Sequence, residues 1–464
     1  MFLHSRFVVV DDKDEHLAGI KNALDQLRLD CHTKLYDVEN VAAWSKLPGT
    51  RILFMDKNLR PGVTMGGGVQ DSFAAIAEVI QLLINPESGP YGLVLWAEEP
   101  QLEALKAFLY ERLAVVDPRL LPVFFAELKK GNYIQVANGE VIDAERLRTD
   151  VVAALGQSPQ MKALFSWESD VMAASDAVLR SMVDLVPPNK RASDSFGDEL
   201  GKALYRLSQA GAGINRAMEN PRESINRVLV PILADRITEH DPEATGHADW
   251  TAALVDPNEQ STLALQAAVN TAIHLSVVRS ADPGSRPIRS ADLGAVSEYP
   301  YDQSDEGLRK TLGLARKQLF GDLFKAEENE WADCQLRLVQ IGAACDFAQP
   351  KPGPLTFLVG IEWRFANADG SKNDAKPSLW NGNSKKTGRS KPGTGSEWHS
   401  PVLEFPGAGN PGRLSVFRNL AVTVPPAAIE DWTVVYRLRE ELISELTQEY
   451  GRYISRPGIV TLPP

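Results

Sequence analysis

A chain of 464 residues is too long to fold around one ordinary core, and typical domain sizes point to about two to four domains. Its 44% hydrophobic and 24% charged residues are those expected of an ordinary soluble protein, and a net charge of −12 argues against non-specific nucleic-acid binding by the surface as a whole. No apolar run is long enough to span a bilayer, the first residues lack a secretion pattern, and Cys31, Cys334 and Cys345 fit no metal or disulfide framework, so the expected compartment is the cytoplasm.

The first strand is expected at Arg6-Phe-Val-Val-Val-Asp11-Asp12, an apolar run that stops in carboxylates. A buried parallel strand reads this way when it delivers acids to the carboxyl edge of a sheet. Leu17, Ile20, Leu24 and Leu27 recur at helical spacing behind Asp14 and Glu15, which favour a helix N-terminus. A second strand over Cys31 to Tyr36 and a short helical run over Val38 to Leu47 lead to a third strand, Arg51-Ile-Leu-Phe-Met-Asp56. The spacing of Asp12 and Asp56 leaves room for two crossovers.

The stretch from Lys57 to Gly68 is rich in Gly and Pro, as a loop is. Gly66 to Gly68 do not match a phosphate-binding P-loop, since no Gly-Lys-Ser/Thr follows. A helix over Ser72 to Ile84, a strand over Gly92 to Trp96, a helix marked by Leu102, Leu105, Leu109 and Leu113, a strand over Pro122 to Ala126 and a helix over Ala144 to Leu155 complete the pattern. Five such repeats with right-handed crossovers give an α/β doubly wound, five-stranded parallel sheet over residues 1–156, with its site at the carboxyl ends of the strands.

Residues 157–333 read as an all-α region, a connector or bundle, with helices over Phe165 to Leu185, Phe196 to Leu207, Glu223 to Ile237, Thr262 to Val278 and Glu306 to Ala326. Residues 334–464 read as a small β-rich (α+β) domain. Its strands are expected at Leu336 to Ile341, Leu355 to Ile361, Arg413 to Phe417, Leu420 to Val424 and Thr433 to Tyr436, and a terminal amphipathic helix carries Leu442, Ile443, Leu446, Tyr450 and Tyr453.

Through Asp11-Asp12, Asp56 and the strand order they imply, about residues 1–155 resemble the receiver domain of bacterial response regulators, which has a flavodoxin-like fold. The resemblance implies that Asp11, Asp12 and Asp56, with the backbone carbonyl of Asn58, hold Mg²⁺, and that Asp56 accepts a phosphoryl group. Lys130 or Lys129 would supply the amine that neutralises it. It also implies a sensor histidine kinase, or another GHKL-type ATPase, as partner. A receiver normally has a Ser or Thr hydroxyl after the fourth strand; here Trp96-Ala97 stand in that place. The departure resembles the divergent receivers of bacterial conflict, or antiphage, systems. A regulatory protein that controls a C-terminal output domain, with a homodimer through the helical region, is the expectation that follows.

Three acids at strand ends can also cap a sheet with solvated charge, leaving a pseudo-receiver that serves as a scaffold. In the C-terminal region, Cys345 beside Asp346, with His399, offers a different chemistry, that of an effector enzyme or toxin. A buried cysteine beside a turn-forming Asp accounts for the same residues. His240 and His247 stand among acids, but Pro242 puts them in a loop. The basic stretch of Lys372, Lys376, Lys385, Lys386, Arg389 and Lys391, near Trp380 and Trp398, is a solubilising loop or a contact for single-stranded nucleic acid.

Overall fold

The computed structural model describes residues 6–59, 69–98, 101–239, 247–256, 261–277, 287–324, 326, 328, 331–332, 334–342, 353–365, 397–407 and 409–455. The chain forms two compact units, Met1–Arg180 with Leu233–Asp256, and Ser181–Ile232 with Pro257–Pro464.

The first unit is built on five parallel strands, β1 (Phe7–Asp11), β2 (Cys31–Leu35), β3 (Ile52–Asp56), β4 (Gly92–Trp96) and β5 (Phe124–Leu128). Their order is β2-β1-β3-β4-β5, that of the flavodoxin-like doubly wound fold. Because a parallel sheet is covered on both faces, its central strands are apolar up to the acids that end β1 and β3, and alternate side chains enter opposite cores. Val8, Val10, Leu53, Met55, Leu93 and Leu95 pack with helices α2 (Val69–Leu83) and α3 (Leu102–Leu113). Val9, Phe54, Val94 and Trp96 pack with α1 (Asp14–Gln26) and α4 (Ala144–Gly156). Each such side chain, fully buried, contributes about 1.5–3 kcal/mol.

Two contacts fix elements that matter for the site. Helix α1 is drawn against the turn before α4 by two glycines: a Cβ on Gly19 would strike the Gly139 carbonyl, and one on Gly139, which is at φ +71°, would strike the Glu15 carbonyl. At the opposite, amino end of the sheet, Glu168 of helix α5 (Pro159–Asp184) takes Arg51 Nε at 2.8 Å and Arg51 Nη2 at 2.9 Å, and pairs with Arg6 at 2.7 Å.

The middle of the chain continues through α6 (Pro188–Arg191), α7 (Phe196–Ala212), α8 (Ile214–Glu219), α9 (Pro221–Thr238), α10 (His247–Ala253) and α11 (Leu263–His274). The second unit holds a seven-stranded sheet with pairs that are all antiparallel, in the order β10-β11-β9-β8-β7-β12-β6. Two of its strands, β6 (Leu275–Ser276) and β7 (Ala295–Glu298), come from upstream of residue 334; the others are β8 (Gln335–Gln340), β9 (Leu355–Arg364), β10 (Glu397–His399), β11 (Gly412–Val424) and β12 (Val434–Leu438). Cores form on both faces, one around Phe320, Phe357 and Trp363, the other under the terminal helix, α13 (Glu440–Ile454), around Leu414, Tyr436 and Leu446.

Several expectations are corrected in detail. The helix read over Thr262 to Val278 ends at His274, where the backbone turns extended at Leu275 and enters β6. The helix read over Glu306 to Ala326 is α12 (Asp305–Leu312) followed by a π-helical turn over Lys317–Leu323, because Gly313, at φ 72°, ends the first helix in the left-handed region. The two strands read at Arg413 to Phe417 and Leu420 to Val424 are one strand, β11, with its register shifted between Val416 and Ala421. The helical run over Val38 to Leu47 shrinks to one 3-10 turn, Val41–Ala43.

Burial pushes the Glu168 carboxyl up, but its hydrogen bonds and charge contacts with Arg51 and Arg6 outweigh that, so it stays ionised further into acid than an ordinary glutamate. A folded-state pKa below the unfolded value contributes stability above the unfolded pKa, about 4.3, that is lost as pH falls through the folded one. The difference in unfolding temperature between wild type and Glu168→Gln is therefore expected to be full at pH 7 and to shrink below about pH 4.3. Thermal scans of both proteins across that range check it; a difference constant with pH would remove the charge from the contact.

Candidate functional site

At the point where the strand order reverses, between β1 and β3, the connections leave in opposite directions and open a crevice at the carboxyl ends. Asp11 and Asp56 are the last residues of these two strands. Strand alternation puts Asp11 on the side of Val9 and Asp56 on the side of Phe54, toward α1 and α4. Trp96 of β4 is in register with Asp56 and lies on the same side.

Lys130 follows β5 in a short 3-10 turn, Lys130–Asn132. Its ammonium lies 2.5 Å from Asp11 Oδ2 and 3.1 Å from Asp56 Oδ1. Exposure is 3% for the lysine and 0% and 4% for the two acids, a depth at which charges persist only when paired. Asp12 is half-buried beside them, and one carboxylate oxygen from each of Asp11, Asp12 and Asp56 lies within 4.8 Å of the others.

Burial pushes all three carboxyls above their ordinary range. The charge of Asp56 adds to the effect on Asp11, and that of Asp11 to the effect on Asp12. Lys130 pulls each of them down, and a hydrogen bond from the Asn58 backbone does the same for Asp56, without offsetting burial. Three carboxylates facing one ammonium leave an excess of negative charge. Oxygen donors in this number and charge are what a hard divalent cation takes, so the donor set fits Mg²⁺.

His16 completes the cluster, a residue that the hydrophobic spacing of α1 had not singled out. It is buried, its Nδ1 lies 3.2 Å from both Asp11 Oδ1 and Lys130 Nζ, and its Nε2 lies 2.9 Å from the Val136 carbonyl. The signal available was its position: it opens the stripe that continues at Ile20 and Ala23, directly after Asp14 and Glu15.

Of the two lysines, Lys130 is in the cluster, while Lys129 is exposed and 3.8 Å from Glu98. Where the resemblance has a hydroxyl, Trp96 is fully buried, stacked on Tyr133 at 5.6 Å and edge-on to Phe54 at 6.2 Å. Its indole Nε1–H finds no hydrogen-bond partner among the described residues. In the second unit, His399 on β10 has Nδ1 2.8 Å from Ser415 Oγ and Nε2 3.6 Å from Glu397. Trp363 donates to the same Ser415 oxygen at 2.9 Å. Cys345 and Asp346 lie outside the described residues, as do His240, the 65–68 loop and the basic stretch 372–391.

No protein-family model and no curated protein matches the chain. Among solved structures it is similar to full-length FixJ from B. japonicum, at 13% identity and a TM-score of 0.18, over 54% of this chain and 98% of that one.

Replacing Lys130 with Met leaves Asp11 and Asp56 buried without their cation. Removing one partner of a buried pair costs about 3–5 kcal/mol, and that loss is expected in the opening free energy of β1 and β3 at pH 7. Hydrogen exchange on the full chain measures it. A loss under about 1 kcal/mol would mean that the lysine is not what holds these carboxylates in place.

Proposed function

We propose that the first unit is a receiver that accepts a phosphoryl group on Asp56, with Mg²⁺ held by Asp11, Asp12 and Asp56. The observation that carries this reading is the buried Lys130 ammonium, in contact with both Asp11 and Asp56 at the switch point of a doubly wound sheet. In the step, an oxygen of the Asp56 carboxylate forms a bond to phosphorus as the bond from phosphorus to the donor breaks. Nucleophile and donor are both anionic, so the step needs positive charge in place beforehand. Mg²⁺, when bound, supplies part of that charge; Lys130 supplies the rest from a position fixed by two carboxylates.

The donor in this reading is the phosphohistidine of a sensor kinase or of another GHKL-type ATPase, and the second unit is the output. The filling of the hydroxyl position by Trp96 supports a readout unlike that of ordinary receivers, and in this reading the signalling serves antiphage defence. The same substitution favours a second reading, a pseudo-receiver in which the cluster is structural and the domain only docks its partner.

Intact-mass measurement after incubation with acetyl phosphate and Mg²⁺ is expected to find one phosphoryl adduct in wild type and none in Asp56→Asn. No adduct in wild type, with this donor or with a candidate kinase, would leave the pseudo-receiver. Separately, Mg²⁺ at a hundredfold over its Kd is expected to stabilise the first unit by about 2.7 kcal/mol. Asp12→Asn should need a higher Mg²⁺ concentration for the same shift in thermal unfolding. Equal shifts in both proteins would place the cation elsewhere.

A further inference from the structure

The contacts of Lys130 account for every hydrogen it can donate. An ammonium has three N–H groups, and three acceptors surround this one: Asp11 Oδ2 at 2.5 Å, Asp56 Oδ1 at 3.1 Å and His16 Nδ1 at 3.2 Å. The third is open to the lysine only if the ring leaves Nδ1 unprotonated. In a neutral ring one nitrogen carries the hydrogen, and the contact of the opposite nitrogen shows which. Nε2 lies 2.9 Å from the Val136 carbonyl oxygen, which can only accept, so Nε2 carries the hydrogen. A proton on Nδ1 as well would set an imidazolium against the ammonium at 3.2 Å. Asp11 Oδ1, also 3.2 Å from Nδ1, accepts from the Lys13 backbone N–H at 3.2 Å.

We infer that His16 is a positioning residue: its Nδ1 lone pair holds the third N–H of Lys130 and keeps the ammonium between Asp11 and Asp56. The ring is itself held from behind. The Val136 carbonyl belongs to the turn that Gly139 presses against α1, so the packing of backbone on backbone sets where the imidazole stands. A lysine tied to Asp11 and His16 needs to exchange only its Asp56 contact for a phosphoryl oxygen, with two of three bonds in place throughout. Preorganised charge of this kind acts in the transition state without reorganising. Only this kinetic consequence rests on the phosphoryl reading; the tautomer and the contact with Lys130 do not.

The test uses the full-length protein labelled with ¹⁵N in histidine, at pH 7.5, with the His16 signals assigned by their loss in His16→Asn. The expected result is an Nε2–H ring with unprotonated Nδ1, and an Nδ1 resonance that moves in Lys130→Met. An Nδ1–H or doubly protonated ring, or an Nδ1 signal that Lys130→Met leaves in place, overturns the inference. The kinetic arm follows uptake of phosphoryl from acetyl phosphate with Mg²⁺. His16→Leu is expected to lower the rate constant at saturating donor roughly tenfold, the order expected for one hydrogen bond to a charged group, with the half-saturating concentration unchanged. His16→Asn, whose Oδ1 keeps an acceptor toward the lysine, should recover most of the loss. Equal rates in wild type and His16→Leu overturn the positioning role. If wild type takes up no phosphoryl group, the receiver reading fails, and the histidine spectra still decide the contact.

Discussion

An ammonium placed between two carboxylates inside a protein gains less than its short distances suggest, because all three groups have given up water. Lys130 is held in that position by the ends of three different strands: Asp11 from β1, Asp56 from β3 and its own place just after β5. A well-packed apolar trio would hold those ends together about as well. What the charged arrangement adds is chemistry, a fixed cation beside carboxylates that burial makes reluctant to ionise. The crevice at the switch point, the turn after β5 and the first turn of α1 are all arranged around it.

The first unit was legible in the sequence because its central strands, β1, β3 and β4, are buried on both faces. Runs such as Val8 to Val10 and Leu53 to Met55 have no polar position to blur their limits, and an acid marks the end of each. The three acids of the cluster could be read for that reason. Which lysine joins them could not: Lys129 and Lys130 differ by one position in a turn, and only the backbone course after β5 sends one inward and leaves the other beside Glu98. His16 was hidden by the same periodicity that revealed α1, since a polar residue on an apolar stripe carries no label of its partner.

The second unit was less legible because its elements break the simple periods. A glycine in the left-handed region divides one expected helix, an irregularity joins two expected strands, and β6 has two residues, too few for any pattern. Its sheet also buries polar groups where a sequence reading expects apolar ones. Arg337 of β8 lies 3.0 Å from Glu362 of β9, which also takes Arg364 at 3.3 Å, and both partners of the first pair are buried. Alternation along a strand cannot announce such a pair, because each member looks like a solvent-facing residue until its partner is known.

Strands β1 and β3 are also gripped at both ends. Arg6 and Arg51 stand just before them and share Glu168 of α5; Asp11 and Asp56 finish them and share Lys130. The two strands are hydrogen-bonded neighbours, and five residues of strand carry a displacement over roughly 17 Å. They therefore behave as paired tie rods with a charge clasp at each end. Sliding one rod along the other works against an ion pair at either end as well as against the hydrogen bonds between the two strands.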